Sequence, residues 1–361
     1  MATNVNINAA IVGFGGMGDL HRQMINEGVR IQKKIQNIPG WRVSGSFDIR
    51  QERQAFARAH GLHAYASFEE LLADPEINMV ICATPNDAHK DIVLRSLKAG
   101  KNVICEKPVA LSVADFDEMV RVSESTGRFF TVGQNRRWDE DYVTAKKIYE
   151  ERLIGKILRI ESRVHGSRGI PQDWRKAPEH GGGMVYDWGI HVIDQAIDMI
   201  HEKIKYVYAS LDHYTETCVD DGLHVELTFE SGLVYFVEIG TSHFIPLPRW
   251  YMTGRDGSAV IEDWSLKGKM CRVTDRSFDQ SQPVQAGSGI TKTMAPRVSN
   301  TTVELPLPKV ESDISGFYNN ITDTLYHGDI RRIQLSEVRK ALEVVEAVFE
   351  SAKKRKVIAF E

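Results

Sequence analysis

The 361-residue sequence predicts an α/β protein, with a doubly wound parallel sheet first and a second α/β domain after it. Three observations carry this. The apolar run Ala9-Ala10-Ile11-Val12 leads into Gly13-Phe14-Gly15-Gly16-Met17-Gly18 and then a helical stretch, a strand–turn–helix unit around Gly-x-Gly-x-x-Gly. Short continuous apolar runs then alternate with amphipathic helical segments, the pattern of parallel strands covered on both faces. Later in the chain, alternating runs separated by Glu230-Ser231-Gly232 and Arg255-Asp256-Gly257 indicate antiparallel hairpins.

The length exceeds one compact domain of ~100–200 residues, so two are expected. Hydrophobic residues at 42% and charged residues at 26% suit a globular protein in water. A net charge of -4 and a pI near 6.3 give no field for a polyanion, which argues against nucleic acid or an anionic membrane as partner. The first residues have neither the basic nor the apolar region of a signal peptide. No run approaches the ~20 apolar residues of a membrane span. Cys82, Cys105, Cys218 and Cys271 are scattered without a Cys-x-x-Cys, and the first two sit in apolar runs as buried thiols. A reduced cytoplasm is the expected compartment.

The glycine turn sets the chemistry of the first half. Gly13 allows the tight turn, Gly15 allows a pyrophosphate to approach the main chain, and Gly18 allows close helix–strand packing. The following helix, Asp19 to about Glu27, presents free N–H groups to phosphates. This is the arrangement of a nicotinamide-dinucleotide site. An insertion around 28–38 delays the next strand, Trp41 to Asp48, so that Asp48 falls beyond the usual ~20 residues. A carboxylate there accepts from ribose hydroxyls and repels a 2′-phosphate, which favours NAD; the alternative is a cap for the helix after Arg50. Arg50 and Arg53 nearby would serve NADP. Helices at 51–60, 68–72 and 88–99 then alternate with strands at 78–84 and 102–105. Gly13, Asp48, Thr84-Pro85-Asn86 and Glu106-Lys107-Pro108 all fall at strand carboxyl ends, where ligands of such sheets lie. Lys107 is there either a surface lysine or an ammonium that polarises a substrate oxygen.

These residues resemble the family of glucose–fructose oxidoreductase, inositol dehydrogenase and rhizopine-catabolism proteins. The match rests on the glycine turn, Asp48, Thr84-Pro85-Asn86 with His89, and Cys105-Glu106-Lys107-Pro108. It continues through Val132-Gly133-Gln134-Asn135-Arg136-Arg137-Trp138 and Gly181-Gly182-Gly183…Asp187-Trp188-Gly189-Ile190-His191. The resemblance implies a dinucleotide-binding Rossmann domain over 1–134. A substrate-binding domain over 135–361 would follow, built on a large, mostly antiparallel open sheet that makes the subunit interface of a homo-oligomer. It implies Lys107, Asp187 and His191 as the catalytic trio. Cofactor contacts are expected from Gly13, Phe14, Gly15, Gly16, Met17, Gly18, Asp48, Arg50, Thr84, Pro85, Asn86, His89, Glu106, Lys107 and Asn135.

In the second half, 139–153 reads as helix and 157–164 as strand. A loop over 165–183 carries Arg168, Trp174, Arg175 and His180, and Trp174 and Arg136 are candidate substrate contacts with the trio. Asp187 and His191 share a face of a helix running to about His201. On spacing alone, Asp187, His191, Asp194 and Asp198 are a solvated face or, less consistently, metal ligands, and no further ligand cluster accompanies them. The family resemblance makes His191 the general base and Asp187 its orienting partner. Strands are expected at 206–215, 223–229, 234–239, 250–253 and 258–264, an exposed loop at 275–299, and closing helices at 313–326 and 336–354, the last capped by Ser336. The resulting expectation is hydride transfer between nicotinamide and a secondary hydroxyl of a sugar, glycoside or cyclitol, without a metal. Two other readings stay open: a tightly held NAD recycled through a transient keto-sugar, and a nucleotide sensor without catalysis.

Overall fold

The computed structural model describes residues 6–31, 34–215, 217–277, 279, 283–293, 297 and 299–360. The stretch read for a targeting signal lies mostly outside the described residues. Six parallel strands form the first sheet, in the order His63–Ala64, Trp41–Phe47, Ile7–Val12, Met79–Cys82, Asn102–Cys105, Phe130–Val132. The central strands are sealed on both faces: every residue of Met79–Cys82 is buried. The strand order reverses between Ile7–Val12 and Met79–Cys82, which opens a crevice at their carboxyl ends. Two short strands at its edges, His63–Ala64 and Phe130–Val132, have too few residues to show a period.

The expected insertion is an antiparallel hairpin, Val29–Ile31 with Lys34–Gln36, after a helix that starts at Gly16 and ends in a π turn over Gln23–Glu27. The second sheet has nine strands, in the order Thr302–Leu305, Gly268–Val273, Gly257–Ile261, Trp250–Gly254, Ile157–His165, Val234–Gly240, Gly222–Phe229, Ile204–Asp212, Ile358–Ala359. Its pairings are antiparallel except the parallel pair of Ile157–His165 with Val234–Gly240. Alternation along these strands buries one face, as in Gly222–Phe229, where Leu223, Val225, Leu227 and Phe229 point inward. Helices Glu140–Glu150, Ile190–Met199 and Leu335–Lys354 belong to this half. Trp250 is fully buried there and donates its Nε1–H to Asp141 Oδ2 at 2.7 Å.

Three expectations are corrected. The last helix begins at Leu335 with Gln334 at its cap position, so Ser336 lies inside the first turn and caps nothing. Part of the 275–299 stretch is a hairpin, Val284–Gly287 with Ile290–Lys292, while residues 278, 280–282, 294–296 and 298 lie outside the described residues. Asp194 and Asp198 are not a solvated face. Helix Ile190–Met199 is buried all round, and the two carboxylates clasp Arg137: Asp194 Oδ1 and Oδ2 lie 2.6 and 2.8 Å from Nη2 and Nε, and Asp198 Oδ1 lies 3.2 Å from Nη1. Glu337 reaches the same guanidinium at 2.7 Å, and Lys146 pairs with Asp198 at 2.7 Å.

This cluster anchors the helix that carries His191. Replacing Arg137 by Met removes the cation from two buried carboxylates, a change that costs about 3–5 kcal/mol. Chemical denaturation of Arg137→Met is expected to show a loss of that size; an unchanged midpoint would remove the cluster from the account of stability.

Candidate active site

The crevice of the first sheet opens into a cavity of about 1360 Å³ that runs from Asp48 and Arg50 to Lys107, Asp187 and His191. It is large against the ~300–1,000 Å³ of most small-molecule sites. Gly13 turns with φ +88°, and a Cβ there would stand 2.7 Å from the Ala83 carbonyl oxygen. Nothing lies within 4 Å of the position a Cβ would take on Gly16, and only Arg50 Nη2, at 3.9 Å, near that on Gly15. The two glycines therefore leave an open cradle at the helix start, the shape a pyrophosphate fills. Asp48 is buried at the end of Trp41–Phe47, accepting from Phe14 N–H at 2.8 Å and Arg50 N–H at 2.9 Å. Its second contact is with the residue before helix Gln51–Ala59, but the cap position itself is Arg50.

Of the expected cofactor residues, Gly13, Gly15, Gly16, Met17, Asp48, Arg50, Thr84, Pro85, Asn86, Glu106, Lys107 and Asn135 line the cavity. Three do not. The Phe14 side chain is buried and packs on Phe56, 5.9 Å between centroids. Gly18 packs against the Gly13 carbonyl. His89 is fully buried, with Nδ1 2.9 Å from the Pro108 carbonyl and Nε2 3.0 Å from the Thr84 carbonyl. It braces two strand-end loops from behind the cavity.

At the far end, Lys107 follows strand Asn102–Cys105 and precedes a cis bond to Pro108. Its Nζ donates to Asp187 Oδ1 at 3.0 Å and to the Asp187 carbonyl at 2.7 Å. Asp187 lies in a π turn, Val185–Gly189, that leads into helix Ile190–Met199. Asp220 Oδ2 accepts the Val185 N–H at 2.7 Å and so fixes the start of this turn. Arg175 Nε lies 3.2 Å from Asp187 Oδ2, so the aspartate is held between two cations. Burial pushes its carboxyl up, but Lys107 and Arg175 outweigh burial and keep it below the usual range. No hydrogen bond joins Asp187 to His191 among the described residues, and His191 Nδ1 is buried without a partner. In this arrangement the Asp187 carboxylate meets Lys107 and Arg175. His191 is held well below the usual imidazole range by burial, then by the charges of Lys107 and Arg136, which makes it a neutral base at pH 7.

Arg136 stacks on Trp188, 4.2 Å from its ring centroid, and pairs with Asp139 at 2.8 Å. The 165–183 loop brings Asp173, Trp174, Arg175 and His180 to the cavity, with Arg175 stacked on Trp174 at 4.6 Å; Arg168 does not line it. Asn86 Nδ2 donates to the Gly181 carbonyl at 2.9 Å and ties the loop across the cleft. Residue spacing carries no signal for the Arg175–Asp187 contact, or for Trp188 as a wall. Away from the trio, His165, Glu238 and His243 lie together, as do Cys82, His89 and Cys105, groupings with no helical or short-range spacing.

The position of the cleft, at the switch point of a doubly wound sheet, defines the class: a protein built on a dinucleotide-binding fold. Comparison with known proteins supplies the family. The oxidoreductase family with an NAD-binding Rossmann fold matches residues 7–134, and the GFO/IDH/MocA C-terminal domain matches residues 142–260. The chain belongs to this family. It is similar to the solved structure of an NAD-binding protein from Listeria innocua, at 39% identity and a TM-score of 0.91, over 98% of this chain and 99% of that one. It is also 26% identical to the uncharacterized oxidoreductase YhhX of Escherichia coli, over 96% of this chain and 97% of that protein. The scyllo-inositol 2-dehydrogenase (NADP(+)) IolW of Bacillus subtilis is 26% identical, over 98% of this chain and 96% of that protein. No helix of the described residues is long and apolar enough to cross a membrane.

The glycine cradle gives a direct test. Gly15 is extended, φ -81° and ψ -152°, and a side chain there would enter the open cleft. Gly15→Val is expected to keep its thermal midpoint while NAD affinity, measured by calorimetry, falls roughly tenfold or more. Unchanged affinity would move the pyrophosphate away from this turn.

Proposed function

We propose that the protein transfers hydride between a secondary hydroxyl of a sugar, glycoside or cyclitol and a nicotinamide dinucleotide. The observation that carries this reading is the Lys107–Asp187 pair beside a neutral, buried His191 at the inner end of the cleft. When bound, the nicotinamide supplies the hydride acceptor. Gly15 and Gly16 would hold its pyrophosphate and Asp48 its adenosine ribose. Asp48 supports NAD; the arginines at 50 and 53, both on the cavity wall, are the features that support NADP instead. The inositol dehydrogenases among the relatives support a polyhydroxylated ring as substrate.

In the oxidation direction His191 takes the hydroxyl proton as the carbon loses hydride, and the substrate oxygen becomes a carbonyl. The Lys107 ammonium faces the negative charge that develops on that oxygen, and Asp187 keeps the ammonium aimed. Such a donor is worth roughly 10²–10³ in rate. The trio argues against a sensor without catalysis. A permanently held cofactor, recycled through a keto-sugar, stays a distinct variant of the same chemistry, recognised by turnover without added nucleotide.

A panel of polyols, sugars and glycosides, followed at the reduced-nicotinamide absorbance, tests the reading. Lys107→Met is expected to keep NAD affinity and lose roughly a hundredfold in turnover. The same variant removes a positive charge that depresses His191, so the acid limb of its kcat/KM profile should move to higher pH. Full activity in the variant would exclude Lys107 from the reaction.

We also propose that the outer face of the large sheet joins copies of this chain. Tyr206, Tyr208 and Tyr251 are exposed there while their neighbours Val207 and Met252 are buried, which supports an outward face that offers aromatic rings to a partner. Sedimentation equilibrium should give a mass above that of the monomer; a monomer at micromolar concentration would contradict this.

A further inference from the structure

A buried hydrogen-bond chain joins the second half of the molecule to the cofactor cleft and takes no part in the reaction derived above. The Tyr318 hydroxyl lies 2.8 Å from His21 Nδ1, and His21 Nε2 lies 2.9 Å from Glu106 Oε1. All three side chains are sealed, with Glu106, the most open of them, at 5% exposure. Their chemistry sets the direction of the chain. An ionised carboxylate only accepts, so Nε2 carries the ring proton and, in the neutral ring, Nδ1 accepts from the Tyr318 O–H. Burial pushes the Tyr318 phenol well up, which keeps it a donor.

Glu106 stands immediately before Lys107 and lines the cavity. Burial raises its carboxyl, but His21, through its hydrogen bond and then its charge, and the nearby Lys107 outweigh burial and hold it below the usual range. Room for the carboxylate is made at Gly133, where a Cβ would sit 2.7 Å from Glu106 Oε1. Two segments thus meet this anion, the helix after the glycine turn and the turn at Gly133, while the helix Ser315–Tyr326 braces the histidine between them through Tyr318. The other charges here meet ions of opposite sign: Lys107 and Arg175 share Asp187, and Arg136 pairs with Asp139. Glu106 meets a histidine, not a lysine or arginine, in its own hydrogen bond.

We propose that His21 and Tyr318 are positioning residues that hold Glu106 as a fixed anion at the reacting end of the cleft, so that the protein binds oxidised cofactor in preference to reduced. This rests on the reading of the cleft as a nicotinamide-nucleotide site. An oxidised nicotinamide ring is cationic and a reduced one is neutral. A carboxylate that is itself almost wholly buried lowers the free energy of a nearby cation and leaves the neutral form nearly untouched.

The test is to titrate NAD+ and NADH separately into the full-length protein and into Glu106→Gln, Tyr318→Phe and Gly133→Ala, following tryptophan fluorescence. The wild type should bind NAD+ more tightly than a Glu106→Gln variant does, with the NADH-to-NAD+ ratio of Kd falling roughly tenfold in that variant. Tyr318→Phe, which loses one link of the chain, should lower the ratio roughly threefold, and Gly133→Ala, which displaces the carboxylate, should also lower it. Equal weakening of both nucleotides would mean a purely structural chain and would overturn the proposal. A wild type that binds neither nucleotide would overturn the reading of the cleft and the proposal with it. Tight binding of both, with a ratio that no variant moves, would overturn the proposal alone.

Discussion

The salt bridge between Lys107 and Asp187 is the constraint on which the site depends. It joins the carboxyl end of a strand in the parallel sheet to a π turn that belongs to the second half of the chain. The lysine makes two contacts with one residue, to the carboxylate and to the carbonyl, so both its direction and its distance are set. A half-buried pair of this kind adds little net stability, since desolvation offsets most of the Coulomb attraction. Its value is geometric. In the proposed reaction it holds an ammonium where substrate oxygen charge would develop, without waiting for substrate to order a flexible side chain.

Everything around the pair limits its motion. Asp187 is gripped on its other oxygen by Arg175, from a loop that Asn86 ties to the first half of the chain. The turn that holds it begins at a backbone N–H bonded to Asp220, distant in sequence. The helix beyond it is clasped through Asp194 and Asp198 by Arg137. A π turn is a costly conformation that persists where its surroundings enforce it, often at functional positions. Here the same surroundings bury His191, lower its basicity and leave one ring nitrogen without a partner.

Much of this was legible in the sequence because local rules govern it. A glycine turn between an apolar run and a helix has few alternatives, and the strand ends that carry Thr84 and Lys107 follow from apolar run lengths. The helical proximity of Asp187 and His191 was also legible. Their relationship was not, because side chains four residues apart become partners only if no stronger partner reaches either one. Lys107 and Arg175, from elsewhere in the chain, reach Asp187 first. Likewise Asp194 and Asp198 look like solvent-facing residues until Arg137 is folded against them. His89 sits in a motif that touches ligands, yet its two nitrogens face carbonyl oxygens behind the cleft. Ser336 is a good capping residue two positions too late. Each of these depends on packing between segments, which periodicity does not encode.

The most direct measurement of the central claim is label transfer. The protein would be incubated with NAD and inositol carrying deuterium on its ring carbons, and the nucleotide released by denaturation would be weighed by mass spectrometry, with other deuterated polyols and sugars run beside it. The account predicts that one member of the set delivers deuterium to the nucleotide, at a rate that depends on His191. Nucleotide that binds and stays unlabelled with every substrate would contradict it, and would leave the cleft as a binding site without hydride chemistry.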